Sequence, residues 1–159
     1  MIAFKRARSV DAAQLTAVQK RCFDDDSRRY LGTDTGGPPG YDSVTWQQTI
    51  MKKSLYYKIL WDGQIIGGLI IFSKGGGHYE LGRIYLDPDY QNQGIGTQTM
   101  AFIEQAFPDA QRWTLDTPLW ATRNHHFYQK LGYVRVGELN MGGGELSILY
   151  EKRINTIRR

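Results

Sequence analysis

Apolar and polar residues alternate along the chain with a period that changes, and each change marks an expected element of secondary structure. Residues Ile2 to Arg8 alternate weakly, as in a strand. Helical spacing follows, with an apolar stripe of Leu15, Val18 and Cys22. The stretch Asp11 to Gln14 has the spacing of a capping-box variant, which predicts that this helix opens at Asp11.

An irregular loop and a run of strands are expected next. The segment Asp24 to Asp42 holds acidic residues and the Gly- and Pro-rich run Asp34 to Gly40, which predicts a long loop. Ser43 is placed to cap a second helix. Turns at Asp62-Gly63 and at Gly75 to Gly77 then separate three strands. These strands are Tyr56–Trp61, Gln64–Ser73 and His78–Leu86.

The second half of the chain returns to a helical period between Gly94 and Phe107. A strand, a helix capped by Asn124 and two closing strands complete the pattern. These strands are Trp113–Thr117, Tyr133–Glu138 and Glu145–Arg153. The tail Thr156 to Arg159, which ends in two arginines, is expected to fray. The order is strand, two helices, three strands, helix, strand, helix and two strands, which predicts a single α/β (α+β) domain over residues 1–159.

Composition narrows the classes of function. The 159 residues are 41% hydrophobic, enough for one core, and their formal charge of +4 favours anionic partners. Cys22 is the single cysteine, which excludes an intramolecular disulfide and a cysteine zinc cluster, so no metal is expected. No apolar run approaches the roughly 20 residues that span a bilayer, and Met1 to Val10 does not resemble a signal peptide. We therefore expect a soluble, cytoplasmic protein without a membrane partner.

The stretch Leu86 to Thr97 is the most informative in the sequence, because it ends a strand, turns, and opens a helix at two glycines. The first amides of a helix lack intrahelical acceptors and lie at the positive end of the helix dipole, so they can bind an anion. Gly94 and Gly96 have no Cβ, which lets a phosphate approach the main chain. A Gly-x-Gly turn alone is more often an ordinary helix start, so the surrounding residues decide.

Residues Gln91-Asn92-Gln93-Gly94-Ile95-Gly96 match the pattern Gln/Arg-x-x-Gly-x-Gly/Ala, and in this the chain resembles the GNAT superfamily of N-acetyltransferases. A second segment, Asn124 followed by Phe127 to Tyr133, is similar to that family's Asn and Phe-Tyr-x-Lys-Leu-Gly-Phe/Tyr. The resemblance is specific from Glu80 to Tyr133. It implies a mixed, mostly antiparallel sheet of about seven strands, splayed at the acetyl-CoA site and flanked by about four helices.

The resemblance also implies acetyl-CoA as co-substrate. The main chain of Ile84 to Leu86 would hold the pantetheine arm, and amides from Gln93 to Thr97 would hold the pyrophosphate. The full set of implied cofactor-binding residues is Ile84, Tyr85, Leu86, Gln91, Asn92, Gln93, Gly94, Ile95, Gly96, Thr97 and Asn124. Many family members have Arg or Lys at the position of Gln93, so a charge contact to phosphate is expected to be missing here.

Acetyl transfer to an amine needs a base for the amine and a proton for the departing thiolate. The resemblance places the general acid at Tyr128, with packing beside Phe127 as the alternative role. Glu80 is the candidate base, because its strand leads into the cofactor site and its spacing from Gln91 is that of histone-type family members. Water as the base, or a Glu80 that faces solvent or orients the acceptor, remains the alternative. His125 and His126 are expected on a solvated helix face.

The predicted function is direct transfer of an acetyl group from acetyl-CoA to a primary amine of a small molecule or peptide. A CoA-binding regulatory module with little turnover is the alternative. An RNA-binding domain is disfavoured, because an RNP-like aromatic segment and a dense Lys/Arg stripe are both missing, so no nucleic-acid partner is expected. The acidic residues Asp24 to Asp26, Asp34 and Asp42 suggest a cationic acceptor, or simply a solvated loop. A homodimer is a further option.

Overall fold

A computed structural model describes residues 1–154, so the basic tail Thr156 to Arg159 lies outside the described residues. The seven strands are β1 (Ile2–Arg6), β2 (Leu55–Trp61), β3 (Gln64–Gly75), β4 (His78–Leu86), β5 (Arg112–Pro118), β6 (Val134–Asn140) and β7 (Leu146–Arg153). The four helices are α1 (Ala12–Asp26), α2 (Val44–Met51), α3 (Ile95–Ala106) and α4 (Thr122–Lys130). The predicted order of strands and helices is confirmed.

The strands form one seven-stranded sheet in the order β1-β2-β3-β4-β5-β7-β6. Strands β4 and β5 run parallel, whereas β1 with β2, β2 with β3, β5 with β7, and β7 with β6 are antiparallel. A parallel pair needs a crossover, and α3 lies in the connection between β4 and β5. The register of β4 with β5 covers three pairs, from His78 opposite Arg112 to Glu80 opposite Thr114. The mixed, mostly antiparallel sheet is therefore confirmed.

The described residues divide into two compact units. The first unit comprises Met1–Phe72 and Arg83–Pro108, and the second comprises Ser73–Gly82 and the residues from Asp109 onward. Helices α1, α2 and α3 belong to the first unit, and β5, β6, β7 and α4 belong to the second. The assignment of residues 1–159 to a single domain stays a prediction.

The core of the first unit forms where the apolar stripe of α1 meets the sheet. Leu15, Val18 and Cys22 are buried, as the helical spacing predicted, and they pack with Tyr56, Ile70 and Tyr85. Residues alternate between sheet faces along a strand, so Tyr57 lies on the opposite face from Tyr56. There Tyr57 contacts the ring of Phe102 on α3, which also stacks on Phe4 with ring centroids 4.4 Å apart.

The acidic loop is shorter and better anchored than predicted. Helix α1 continues through Asp26, and a π-helical turn, Ser27–Leu31, follows it, so the prediction that a loop begins at Asp24 is wrong. The reason is a set of hydrogen bonds to Asp24, two of which come from residues 12 and 17 positions away in the sequence. The buried carboxylate of Asp24 accepts hydrogen bonds from Lys20 Nζ at 2.6 Å, Gly36 N at 2.9 Å and Tyr41 Oη at 2.7 Å.

The predicted capping box at the start of α1 is also wrong. Asp11 does stand at the N-cap position, but its side chain makes no cap hydrogen bond to the helix. Its carboxylate instead accepts from Arg8 N at 2.8 Å and from Lys58 Nζ on β2 at 2.9 Å. Ser43, by contrast, caps α2 as predicted, because its hydroxyl accepts from Trp46 N at 3.1 Å.

Two glycines of β3 allow β4 to approach closely. A Cβ at Gly67 would overlap the carbonyl oxygen of Tyr85, and a Cβ at Gly68 would overlap the Tyr85 hydroxyl. That hydroxyl is buried and lies 2.7 Å from the hydroxyl of Tyr56. The glycine pair therefore sets the position of the last residues of β4, which the sequence had marked as cofactor-binding.

We expect Gly67→Ala to destabilise the protein by about 1–3 kcal/mol, the usual cost of overpacking a filled site. The matched control is Gly137→Ala on β6, where a Cβ would meet only Leu149 Cδ1 at 3.5 Å, an ordinary contact. The free energy of unfolding, measured by denaturant titration, should fall for the first variant and change by less than about 0.5 kcal/mol for the second. Equal effects of the two substitutions would contradict the close approach.

Candidate active site

The chain turns sharply between β4 and α3. Asp87 accepts a hydrogen bond from Asp89 N at 3.0 Å and so caps a single 3-10 turn, and it also pairs with Arg21 of α1. Asn92 and Gly94 then adopt left-handed conformations, with φ of 63° and 82°. These two residues reverse the main chain so that α3 begins directly after the turn.

The first turn of α3 has the properties of an anion site. The first helical bond runs from Gln98 N to the carbonyl of Gly94 at 3.1 Å, so the amides of Ile95, Gly96 and Thr97 precede the bonded part of the helix. Gly94 is the N-cap and forms no side-chain cap, and the first turn carries no acidic residue. A Cβ at Gly94 would meet nothing within 4 Å, so the chain is open to solvent on that side of the N-cap. A phosphate could accept several hydrogen bonds here.

The glutamine side chains of the loop are used to hold the loop itself. Gln91 Nε2 donates to the carbonyl of Leu86 at 3.0 Å, which fastens the turn to the end of β4. Gln93 Nε2 donates to the carbonyl of Asp89 at 3.3 Å. Neither side chain is cationic, so these two glutamines would add no charge contact to an anion, whereas the main-chain amides and the helix dipole would attract it.

The end of β4 offers main-chain groups more than side chains. Tyr85 is buried and its hydroxyl is bonded to that of Tyr56, so its side chain belongs to the core. Ile84 and Leu86 are half-buried on the other face of the strand. The predicted contacts of these three residues with a cofactor therefore depend on their amides and carbonyls.

Tyr128 of α4 lies in an aromatic cluster of the second unit. Its ring centroid is 5.2 Å from that of Phe127, 5.8 Å from Tyr133 and 6.3 Å from Tyr150. Burial raises the pKa of Tyr128 well above its usual 10, and the negative charge of Asp116 raises that pKa further. The phenol is therefore protonated at neutral pH and has a proton to donate.

Asn124 does not cap α4, and that prediction is wrong. The helix begins at Thr122, with Ala121 at the N-cap position and no side-chain cap. The Asn124 amide already bonds to the carbonyl of Ala121 at 3.0 Å, because the turn after β5 starts the helix earlier than the sequence suggested. The side chain of Asn124 instead donates from Nδ2 to Thr117 Oγ1 on β5 at 3.0 Å.

His125 is half-buried, so it is less solvated than expected. Its Nε2 lies 3.0 Å from the carbonyl of Pro118, which can only accept, and its Nδ1 lies 2.7 Å from the hydroxyl of Tyr150. Nε2 therefore donates to Pro118, whereas the Tyr150 hydroxyl can either donate to Nδ1 or accept from it. The bond connects α4 to β7 beside Tyr128. His126 is exposed, as expected.

Glu80 lies on β4 directly opposite Thr114 of β5. Its Oε1 is 3.1 Å from Lys74 Nζ, and both side chains are partly exposed to solvent. The ion pair with Lys74 stabilises the ionised form of Glu80 and competes with an acceptor amine for Oε1. The predicted base therefore begins with one of its two oxygens engaged.

Asp116 is a candidate that the sequence reasoning missed. It lies two residues after Thr114 on β5, so it shares a strand face with Glu80. Although solvent reaches much of the residue, the surrounding protein raises the pKa of its carboxyl mainly by burial. The charge of Glu80 raises this pKa further, whereas a hydrogen bond from Ser147 opposes the shift. A carboxylate with a raised pKa is a better proton acceptor than an ordinary one.

Comparison with known proteins decides the family. Residues 15–133 match the model of the acetyltransferase (GNAT) family. The chain belongs to this family.

The relatives of this GNAT protein are moderately similar in sequence. It is 32% identical over 105 residues to the uncharacterized protein YrkN of Bacillus subtilis (strain 168), a match that covers 65% of this chain and 57% of YrkN. It is 26% identical over 117 residues to the S-(2-succino)cysteine N-acetyltransferase of the same organism, covering 65% of this chain and 69% of that protein. The chain thus spans little more than half the length of the first relative.

Solved structures agree with the GNAT fold. The PaiA N-acetyltransferase from Thermoplasma acidophilum, solved in complex with coenzyme A, superimposes with a TM-score of 0.76 at 18% identity. The match covers 97% of this chain and 99% of PaiA. Within the described residues, the helices are all too short or too polar to cross a membrane.

The predicted site residues of this GNAT protein fall into two groups. The cofactor-binding segments at the end of β4 and the start of α3 belong to the first unit. The turn between β4 and α3 connects them directly. Glu80, Asn124 and Tyr128 belong to the second unit, together with Asp116. The role of each of these residues stays a prediction.

Proposed function

We propose that this protein transfers the acetyl group of acetyl-CoA to a primary amine of a small molecule or peptide. The start of α3 carries the proposal, because three helix amides precede the first helical bond and the N-cap, Gly94, has open space at its Cβ position. Membership of the GNAT family supports acetyl transfer in general. The coenzyme A complex of PaiA and the N-acetyltransferase activity named for one Bacillus relative support the cofactor and the amine acceptor.

The first unit would hold the cofactor. The pyrophosphate would accept hydrogen bonds from amides between Gln93 and Thr97, with Asn92 and Gly94 turning the main chain toward it. Gln91 would act indirectly, by fastening this turn to Leu86. The pantetheine arm would then run back along β4 from Leu86 to Ile84 and pair with main-chain groups.

The second unit carries the candidate groups for proton transfer. The amine nitrogen attacks the thioester carbonyl, the C–S bond breaks, the amine loses a proton and the thiolate gains one. Tyr128 would donate to the sulfur, because its raised pKa keeps it protonated and a desolvated thiolate is itself a strong acceptor. Asp116 would accept the proton from the amine, and we prefer it to Glu80 because Lys74 occupies one Glu80 oxygen.

The CoA site can be tested with Gly96→Glu. An acidic residue in the first turn favours the helix itself, so the fold should be retained. The same charge would stand about 4 Å from the pyrophosphate, and we expect acetyl-CoA affinity to fall on the order of 100-fold. The control is Gln105→Glu in the last turn of α3, which changes the net charge equally but lies far from Gly94. Calorimetry on both folded variants measures the dissociation constants. Unchanged affinity in Gly96→Glu would refute this placement.

Two further expectations concern the location of the protein and its oligomeric state. A cytoplasmic location and a homodimer stay predictions. Acetyl-CoA binding without acetylation of any amine would favour the alternative of a regulatory CoA-binding module.

A further inference from the structure

Arg83 of β4 is a half-buried cation with no carboxylate partner among residues 1–154. It lies in the first unit, where its guanidinium stands over the ring of Trp46 of α2 at 4.4 Å from the centroid. The ring of Phe23 of α1 lies 6.0 Å away on another side. Aromatic faces favour a guanidinium, but they do not neutralise its charge.

Hydrogen bonds fix the orientation of this guanidinium without using all of its donors. One terminal nitrogen donates to Gln19 Oε1 at 3.0 Å, and the other donates to the carbonyl of Pro39 at 3.1 Å. A guanidinium has five N–H groups in a rigid fork. Donors therefore remain on a side chain that two bonds and an aromatic stack already hold in place, which is the arrangement that favours bidentate binding of a carboxylate.

Gln19 is a positioning residue for Arg83. It is fully buried on α1, and its Nε2 has no hydrogen-bond partner within the described residues. An unsatisfied buried donor destabilises a fold, so its presence needs a reason. Orientation of Arg83 through Oε1 supplies one. Burial also lowers the pKa of Arg83, and a bound anion would offset the desolvation that causes this shift.

The position of Arg83 along β4 connects it to the proposed reaction. Arg83 directly precedes Ile84. Ile84 is the residue of the proposed pantetheine segment that lies farthest along β4 from the turn that would bind the pyrophosphate. A strand rises about 3.3 Å per residue, so the Arg83 backbone lies about 10 Å from that of Leu86. A pantetheine arm that runs from Leu86 back to Ile84 would bring its thioester end toward Arg83.

We infer that the acceptor amine of this protein also carries a carboxylate, and that Arg83 binds this carboxylate and thereby selects amino acids and their derivatives. The inference rests on the proposed acetyl transfer and adds a substrate class to it. It differs from the cationic acceptor suggested by the sequence. The first residue of that acidic run, Asp24, is buried and already bonded to Lys20, Gly36 and Tyr41.

The test compares α-amino acids with their own carboxamides, which keep the amine and the side chain but lack the negative charge. CoA release is measured for the wild type, Arg83→Gln and Arg83→Lys, each pair at pH values that give equal fractions of free amine. Arg6→Gln is the control, because Arg6 is an exposed arginine of β1 in the same unit. We expect the wild type to prefer the acids. Arg83→Gln should raise KM for the acids about 10- to 100-fold and leave KM for the amides unchanged.

Arg83→Lys should restore only part of the preference, because an ammonium lacks the planar fork. Gln19→Glu should also raise KM for the acids, because it would give Arg83 an internal carboxylate partner. The melting temperature of this variant shows whether its fold is retained. Equal losses for acids and amides in Arg83→Gln, or a wild type that prefers the amides or acetylates no amino acid, would overturn the inference. Amines without a carboxylate would still be acetylated if only this inference failed, whereas failure of the proposed function would abolish acetylation of every amine.

Discussion

Replacing Tyr128 with phenylalanine should lower kcat about 100- to 10,000-fold, the usual contribution of a general acid, while acetyl-CoA affinity stays nearly constant. The substitution removes the proton donor but keeps the ring that packs against Phe127, Tyr133 and Tyr150. The raised pKa of Tyr128 means that the wild-type phenol stays protonated throughout the neutral range. The loss should therefore persist from neutral to mildly alkaline pH. Steady-state kinetics and calorimetry measure the two effects separately.

A matched substitution separates chemistry from packing at this cluster. Tyr133→Phe also deletes a hydroxyl from a buried ring, 5.8 Å from that of Tyr128. We expect this control to change kcat much less than Tyr128→Phe. If Tyr128→Phe turned over as fast as the wild type at every pH, packing would be the remaining role of Tyr128 and the acid assignment would fail.

Asp116→Asn should produce the second large effect, a loss of about 100-fold or more in kcat/KM near neutral pH. A base works in its deprotonated form, so wild-type activity should rise as pH increases through the raised pKa of Asp116. The variant should lack this rise. Its activity should recover in part at high pH, where more of the acceptor amine is already unprotonated. A pH–rate profile of kcat/KM for both proteins measures this difference.

Glu80→Gln is the comparison that decides between the two carboxylates. It removes the ion pair with Lys74 and keeps nearly the same side-chain shape, so we expect a small effect on kcat/KM. A larger loss in Glu80→Gln than in Asp116→Asn would restore the base predicted from the sequence. A pH-independent rise in acceptor KM would instead make Glu80 a binding carboxylate. If both pH profiles matched that of the wild type, water would be the base.

The order of the elements and the turn between β4 and α3 could be predicted because their signals are local. The apolar stripe Leu15, Val18 and Cys22 is a property of one helix, and burial followed from its spacing. The residues from Leu86 to Gly96 form a strand end, a turn and a helix start within a few positions, so their sequence reports their conformation. Short-range patterns of this kind are reliable because neighbouring residues determine the local conformation more than distant contacts do.

The features that were missed depend on partners far away in the chain. Asp24 extends α1 because Gly36 and Tyr41 bond to it, and neither partner is visible in the local helix pattern. The pKa of Asp116 depends on desolvation of its carboxyl by the surrounding protein, on the charge of Glu80 and on a hydrogen bond from Ser147 of another strand. A single aspartate in an otherwise ordinary strand gives no warning of this environment.

The candidate acceptor group was missed for the same reason. Arg83 is one of many arginines in the sequence, and only folding places it over Trp46 and beside Gln19. The close approach of β3 to Tyr85 likewise needs Gly67 and Gly68 to meet a residue of the next strand. Sequence patterns report the elements well, whereas side-chain chemistry at their junctions requires the structure.

Product analysis tests the central proposal most directly. The protein is incubated with acetyl-CoA and a panel of primary amines that includes amino acids and their carboxamides. Mass spectrometry then identifies acetylated amines while thiol titration measures free CoA. We predict one N-acetylated amine for each CoA released, and a strong reduction of both products in Gly96→Glu. Tight binding of acetyl-CoA with no acetylated amine would contradict the proposed acetyl transfer. Release of CoA by hydrolysis of acetyl-CoA, without an acetylated amine, would contradict it as well.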